Sequence, residues 1–320
     1  DDHVHRSSSM RTTWSWGAHG NGHTSEGLVE LKHDSLRHDT SLRRLRMTRS
    51  LRSASVWRKA TARLRVEPFG HGRRTNRMPA GEMHEDSDTF PTGGMAVVVG
   101  SSGGIGRALL SRLATQHRFC IALGLGRGSS PPLDLTDDSS VAQAALYVQG
   151  LGKEVRLVIN AAGFLHMDGL TPEKSWRDLD VAHMARSFAV NAIGPALLMK
   201  HFLPLLPRQG RSVFATLSAR VGSIGDNRLG GWYSYRSSKA ALNQLVRTAA
   251  IELARRRPAA LCVALHPGTV ETRLSAPFVK RSADVQTAEY AANRLLGVIE
   301  RLSPANTGGF FDFRGEPVPW

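Results

Sequence analysis

Tyr235 and Lys239 are the two residues of this sequence whose types and spacing suit proton transfer. Four positions apart in YSYRSSKAALNQLVRTAAIELARR, they project from one face of a helix, which brings an ammonium close to a phenol. A nearby cation favours phenolate, so the pair is expected to draw the tyrosine from its usual pKa of about 10 toward neutrality. A phenol so tuned gives a proton to a carbonyl oxygen, or takes one from an alcohol, near physiological pH. The pair also arises by chance in many sequences, so its weight depends on what the rest of the chain places around it.

The strongest positioning element is the stretch 95–110, MAVVVGSSGGIGRALL. Ala96 to Val99 read as a buried strand, and helix formers follow Arg107. The turn between them carries Gly100, Ser102, Gly104, Ile105 and Gly106. Strand, glycine turn and helix together present backbone N–H groups and a helix N-terminus to a phosphate. Glycine lets the backbone turn tightly and come close to a pyrophosphate.

From Met95 onward strands and helices alternate, the pattern of a parallel sheet with helices on both faces. Strands are predicted at 119–123, 133–135, 155–160, 212–217, 261–265 and 310–313. Helices are predicted at 105–116, 139–149, 182–206 (interrupted near Gly194-Pro195) and 235–256. The expected fold is thus α/β: one Rossmann-type, doubly wound parallel sheet. Ligands of such sheets lie beyond the carboxyl ends of the strands, where the candidate residues fall.

After the second strand comes Gly124-Leu125-Gly126-Arg127, and no acid occurs between Phe119 and Pro132. A site for NAD(H) usually offers a carboxylate there to the ribose 2′-hydroxyl. Arg127 instead suits a 2′-phosphate, which favours NADP(H) over NAD(H). Asp134 and Leu135 end the short third strand, and Asn160, Ala161, Ala162 and Gly163 end the next. Small residues there would let the backbone lie beside a ribose, though each stretch taken alone also reads as an ordinary turn.

Composition places the rest. The chain has 320 residues, 41% hydrophobic and 22% charged, as in a globular protein. Its net charge of +15 implies either non-specific attraction to polyanions or an Arg-rich appendage. Residues 1–94 hold most of the histidines, without metal-ligand spacing, and an Arg/Ser-rich run, SLRRLRMTRSLRSASVWRKATARLRV. Three readings compete for this extension: disorder without a selected role, an organelle-targeting helix, or a polyanion-binding arm. Sparse aromatics argue against nucleic-acid stacking, and disorder is preferred. The sequence begins with Asp1, which reads as a fragment, a processed form or an extension. Met95 would serve as a translation start for a domain spanning 95–320. The two cysteines, Cys120 and Cys262, suggest neither a disulfide scaffold nor a metal site. A reducing, cytoplasmic setting is expected, with no apolar run long enough to span a membrane.

Four motifs then fall in a familiar order. Gly100-xxx-Gly104-Ile105-Gly106, Asn160-Ala161-Ala162-Gly163, Tyr235-xxx-Lys239 and Pro267-Gly268-Thr269 resemble those of the short-chain dehydrogenase/reductases. The stretches LSARVGSIGDNRLGGWYSY and HPGTVETRLSAPF, with the ending GFFDFRGEPVPW, are most similar to the C-factor-like, carbonyl reductase-like branch. The resemblance implies an NAD(P)-dependent oxidoreductase that moves hydride between nicotinamide and a carbonyl or alcohol substrate, often as a homo-oligomer. It makes Tyr235 the general acid–base and gives Lys239 the nicotinamide ribose and the tyrosine. Asn191 would position a relay water, and Pro267, Gly268 and Thr269 the carboxamide end of the nicotinamide.

Departures from the pattern bear on one role above all. Val99 replaces the usual Thr and Ala161 the second Asn. The family's catalytic serine falls on Ala219, so Ser218 is chosen for the role, with Ser223 as the alternative. An uncertain serine also keeps a second function open, a non-enzymatic NADP(H)-binding sensor. Substrate choice would lie in residues 270–282, which include Leu274, Phe278, Lys280 and Arg281.

Overall fold

A computed structural model describes residues 90–167, 169–279 and 284–320. The readings made for the extension before Phe90, and for Lys280 and Arg281, lie outside the described residues.

Six strands form one parallel sheet: β1 (Gly94–Val99), β2 (Phe119–Leu125), β3 (Val155–Asn160), β4 (Ser212–Leu217), β5 (Ala260–His266) and β6 (Phe310–Asp312). Their order is β2-β1-β3-β4-β5-β6, so the chain reverses direction across the sheet beside β1. That reversal opens a crevice between the carboxyl ends of β1 and β3. Over most of their length the strands alternate between two cores. Met95, Val97 and Val99 face one, with Phe214 and Cys262, and Ala96 and Val98 face the other, with Ile159 and Val263. Strands buried on both faces read as unbroken apolar runs, which is why β1 and β5 were legible.

The first core is covered by α2 (Asp138–Gly150), α4 (Gly194–Phe202) and α5 (Tyr233–Arg256), through residues such as Val141, Phe202 and Leu242. The second is covered by α1 (Gly104–Ala114) and α7 (Ala288–Arg301), through Leu109, Leu113, Leu295 and Ile299. Between β3 and α4 lies α3 (Val181–Phe188), and α6 (Ala276–Val279) is a single turn after β5. The doubly wound expectation is met.

Four expectations change. Residues 133–135 form no strand; Asp134 is engaged in a turn with Thr136 and Ser140 instead. A whole helix, α7, is added, its apolar stripe Ala291, Ala292, Leu295, Leu296 and Ile299 packed against the sheet. The predicted interruption near Gly194 is a π-helical segment, Ala189–Ile193, joining α3 to α4. Gly194 packs there because a Cβ would come 2.7 Å from the Cβ of Leu135. The continuous helical run Val181–Leu205 is long and apolar enough to cross a membrane, contrary to expectation, with a mean hydropathy of 1.3 over an 18-residue window. Leu198, Met199 and Phe202 of this run are spent on the core.

Candidate active site

The glycine turn between β1 and α1 leaves no room for side chains at Gly100 and Gly106. Gly100 has φ +81°, and a Cβ on it would lie 2.7 Å from the main-chain nitrogen of Ala162. A Cβ on Gly106 would lie 2.2 Å from the carbonyl oxygen of Gly100. Helix α1 starts after Gly103 with neither a side-chain cap nor an acid in its first turn, so its leading N–H groups suit an external anion. Ser102 and Arg107 are exposed beside it, and Ile105 packs under the turn. This is a fit for a pyrophosphate.

Neighbouring motifs converge on the same crevice. Asn160 is fully buried: Nδ2 donates to Thr216 Oγ1 at 3.0 Å, and Oδ1 accepts from the Ala162 N–H at 3.2 Å. Its side chain thus ties β3 to β4 and shapes the turn, leaving the half-buried backbone of Ala161 and Ala162 and the exposed Gly163 to face a ligand. Arg127 is exposed after β2. The Asp134 carboxyl is held below its ordinary range by the Thr136 N–H and hydroxyl, helped by the charges of Arg127 and Arg186. Leu135 is buried beneath. At the far side, Gly268 has φ +84° and Thr269 accepts the Gln286 N–H through its carbonyl, which fixes the turn after Pro267. The chain then runs back over the crevice, where Thr272 packs on Gly104.

Two of the catalytic candidates, Asn191 and Lys239, meet over Gly163. A Cβ there would touch Asn191 Oδ1 at 3.6 Å, Lys239 Nζ at 3.9 Å and Leu274 at 3.9 Å. Asn191 sits in the π segment, its Oδ1 accepting the Phe164 N–H at 2.8 Å and its Nδ2 donating to Phe164 O and Ser238 Oγ. Lys239 is buried, donates to the Leu217 carbonyl at 2.8 Å, and lies 5.8 Å from the ring centroid of the half-buried Tyr235.

The expected tuning of the phenol is corrected. Burial pushes Tyr235 up to about 12 and pulls Lys239 down to about 8. Desolvation governs both groups, and the ammonium spends its reach on the Leu217 carbonyl and the ring face.

Neither candidate serine is free at this site. Ser218 is buried at the end of β4 and donates to Asn243 Oδ1 of α5 at 2.7 Å, which makes it a strand-to-helix pin. Ser223 is also buried, and its hydroxyl accepts the Asp226 N–H at 3.1 Å. Ala219, between them, stands where the resemblance places the serine. The wall beside Tyr235 joins Phe278, expected to bear on substrate choice, to two residues the sequence reading passed over, Trp232 and His166. Trp232 lies 6.1 Å from the Tyr235 ring and 5.3 Å from Phe278, which lies 5.3 Å from His166. A cavity of about 430 Å³ elsewhere, lined by Thr171, Glu173, Asp178 and His183, includes none of the catalytic candidates.

A doubly wound parallel sheet with an uncapped helix and a glycine cradle at its switch point defines a dinucleotide-binding α/β protein. Comparison with known proteins narrows the class. The family model described as enoyl-(acyl carrier protein) reductase matches residues 112–302. The C-signal of Myxococcus xanthus is 39% identical over 143 residues, which span 45% of this chain and 82% of that protein. A 1-hydroxy-2-glutathionyl-2-methyl-3-butene dehydrogenase of Rhodococcus sp. (strain AD45) is 31% identical over 233 residues, covering 70% of this chain and 98% of that one. Among solved structures, an NADPH-bound carbonyl reductase from chicken fatty liver superposes with a TM-score of 0.62 at 26% identity, covering 73% of this chain and 96% of that one. The chain belongs to the short-chain dehydrogenase/reductase family of oxidoreductases, in its C-factor-like branch.

Proposed function

We propose that this chain is an NADP(H)-dependent carbonyl reductase in which Tyr235 gives a proton to the oxygen of a small carbonyl substrate. The meeting of Lys239 and Asn191 over Gly163, with the Tyr235 ring 5.8 Å from the Lys239 ammonium, carries this reading. When bound, the nicotinamide supplies the hydride. Burial keeps the Tyr235 hydroxyl protonated at neutral pH, so it is poised to donate to a carbonyl oxygen. Lys239 carries its charge below about pH 8 and would stabilise the phenolate left after transfer. Its Nζ and the backbone of Gly163 would hold the nicotinamide ribose. Asn191 locks the loop after β3 through Phe164 and reaches Ser238, which keeps these groups in register. Arg127 and the acid-free turn after β2 favour NADP(H), and its use by the similar chicken enzyme supports that choice.

The test is NADPH and NADH oxidation by the full chain over a panel of aldehydes, ketones and quinones. Tyr235→Phe should abolish turnover while NADPH still binds; unchanged turnover in that variant would remove the mechanism. A second reading, a nucleotide sensor without turnover, is favoured by one observation: the serine position holds Ala219 and both neighbouring hydroxyls are engaged elsewhere. Tight NADPH binding with no oxidation by any carbonyl would select it.

A further inference from the structure

Helix α5, which carries Tyr235 and Lys239, begins without a cap of its own. Its N-cap residue is Trp232, a side chain that accepts no hydrogen bond there. The first N–H groups of a helix need acceptors, and a negative charge suits them best. Here the acceptor comes from 61 positions upstream: the Glu173 carboxylate takes the Ser234 N–H at 3.2 Å and also the Ser234 hydroxyl. The main-chain carbonyl of Glu173 takes the Trp232 N–H.

Glu173 is 2% exposed, and its other neighbour is the equally buried His183 of α3, Nδ1 standing 3.6 Å from Oε1. His183 is fixed in turn, with Nε2 3.3 Å from the Leu165 carbonyl and its ring edge-on to Phe164. The carboxyl group of Glu173 is thus buried among partners drawn from α3 and the start of α5, an arrangement that costs desolvation unless geometry repays it.

What that geometry holds is unusual. Trp232 has φ 52° and ψ 44°, the one described non-glycine residue with positive φ. A bulky side chain in the left-handed region persists only where its surroundings impose it. Its ring lies between Tyr235 and Phe278, and the long loop from β4 that leads into it ends in Gly230-Gly231. Arg236 adds a second tie, its guanidinium donating to the carbonyls of Gly230, Gly231 and Val221.

We propose that Glu173 is a positioning residue of the reaction helix: its buried carboxylate caps α5 from across the fold and holds Trp232 in the left-handed turn that sets its ring between Tyr235 and Phe278. The effect on turnover rests on Tyr235 being the proton donor; the capping does not.

The experiment measures amide hydrogen exchange across residues 230–238 of the full chain, with kcat, KM and NADPH affinity in parallel, for Glu173→Ala and Glu173→Gln. In Glu173→Ala, the amides of the first turn should exchange at least tenfold faster and kcat should fall at least tenfold, with NADPH affinity within twofold of the parent. Glu173→Gln keeps an acceptor oxygen for the Ser234 N–H, so most of the protection and of kcat should return. Parent-like exchange in Glu173→Ala overturns the proposal. So does a kcat lost in Glu173→Gln while exchange stays parent-like, since that would make the charge itself act in the chemistry. Should Glu173→Ala not fold, Glu173→Asp takes its place, since its carboxylate stops one methylene short of the Ser234 N–H: faster exchange confined to residues 232–236 supports the cap, and parent-like exchange there overturns it. A parent that reduces no carbonyl would sink the function proposed above and leave the exchange result to decide the cap.

Discussion

Ser218 gives its hydroxyl proton to Asn243 Oδ1 at 2.7 Å, and both residues are 3% exposed. The contact ties the carboxyl end of β4 to the helix bearing Tyr235. It leaves Ala219, half-buried and without a hydroxyl, at the place where the family's serine would face substrate. Ser218→Ala should therefore act on stability first. It strands a buried acceptor, at a cost of about 1–3 kcal/mol, read as a lower urea midpoint. Ala219→Ser should raise kcat by about tenfold or more, the direction expected when a donor is added at a developing oxyanion. A kcat loss confined to Ser223→Ala would instead move the role to Ser223.

Lys239 sets a pH dependence whose sign follows from burial. Its folded pKa of about 8 lies below the ordinary 10.5, so the folded chain binds fewer protons than the unfolded one between these values. Stability should rise with pH from about 8 to 10.5, and below 8 the burial penalty stands in full, up to about 3 kcal/mol. Lys239→Met should remove that slope and leave the protein at least as stable at pH 7, yet inactive. Carbonyl reduction by the parent should decline as pH passes 8, where the cation beside the phenol is lost. Equilibrium urea unfolding of both chains at pH 7, 9 and 10 checks the first claim, and a kcat profile over the same range checks the second.

The parts of this molecule that were legible in the sequence share a cause. Strands β3 and β4 lie where the apolar runs put them, because a strand buried on both faces is simply a run of Val, Ile and Leu bounded by turn residues. Tyr235, Lys239 and the glycine turn could be read because their chemistry depends on spacing within one element. Helix α7 was missed: its apolar positions repeat at helical spacing, but two of its inward residues are alanines and it bears no motif. The Ser218 pin, the Glu173 cap and the Trp232 wall depend on which elements become neighbours. Asn243, Glu173 and Ser234 look like ordinary surface residues until the fold buries them.

Arg127 carries the choice between the two nucleotides. It is exposed beyond β2, where no carboxylate competes until Asp134, whose charge both Arg127 and Arg186 help to hold. Arg127→Ala should raise the KM for NADPH by about tenfold and leave that for NADH nearly unchanged, as expected on losing one charge-assisted contact to phosphate. Arg127→Asp should reverse the preference. Raising salt from about 0.05 to 0.5 M should weaken NADPH binding in the parent more than in Arg127→Ala. An NADPH-to-NADH ratio unaltered by either substitution would remove Arg127 from the site and shift attention to Arg186.

Gly106 offers the sharpest test of the cradle, because there the backbone itself forbids a side chain. The methyl of Gly106→Ala would fall 2.2 Å from the Gly100 carbonyl oxygen, well inside van der Waals contact, and no flexible group stands in the way to yield. Relief requires α1 to shift away from β1, which opens the packing of Leu109 and Leu113 in the second core and tilts the leading N–H groups off the crevice. Dinucleotide affinity should drop by at least a hundredfold and stability by about 1–3 kcal/mol, the range for an overpacked core position. Gly103→Ala is the control: its Cβ would meet only the Gly100 carbonyl at 3.4 Å, and its φ of −76° is open to alanine. That variant should bind NADPH within a fewfold of the parent by calorimetry. Equal losses at Gly103 and Gly106 would mean that the turn tolerates no change at all, and the close approach of Gly106 to Gly100 would lose its special role.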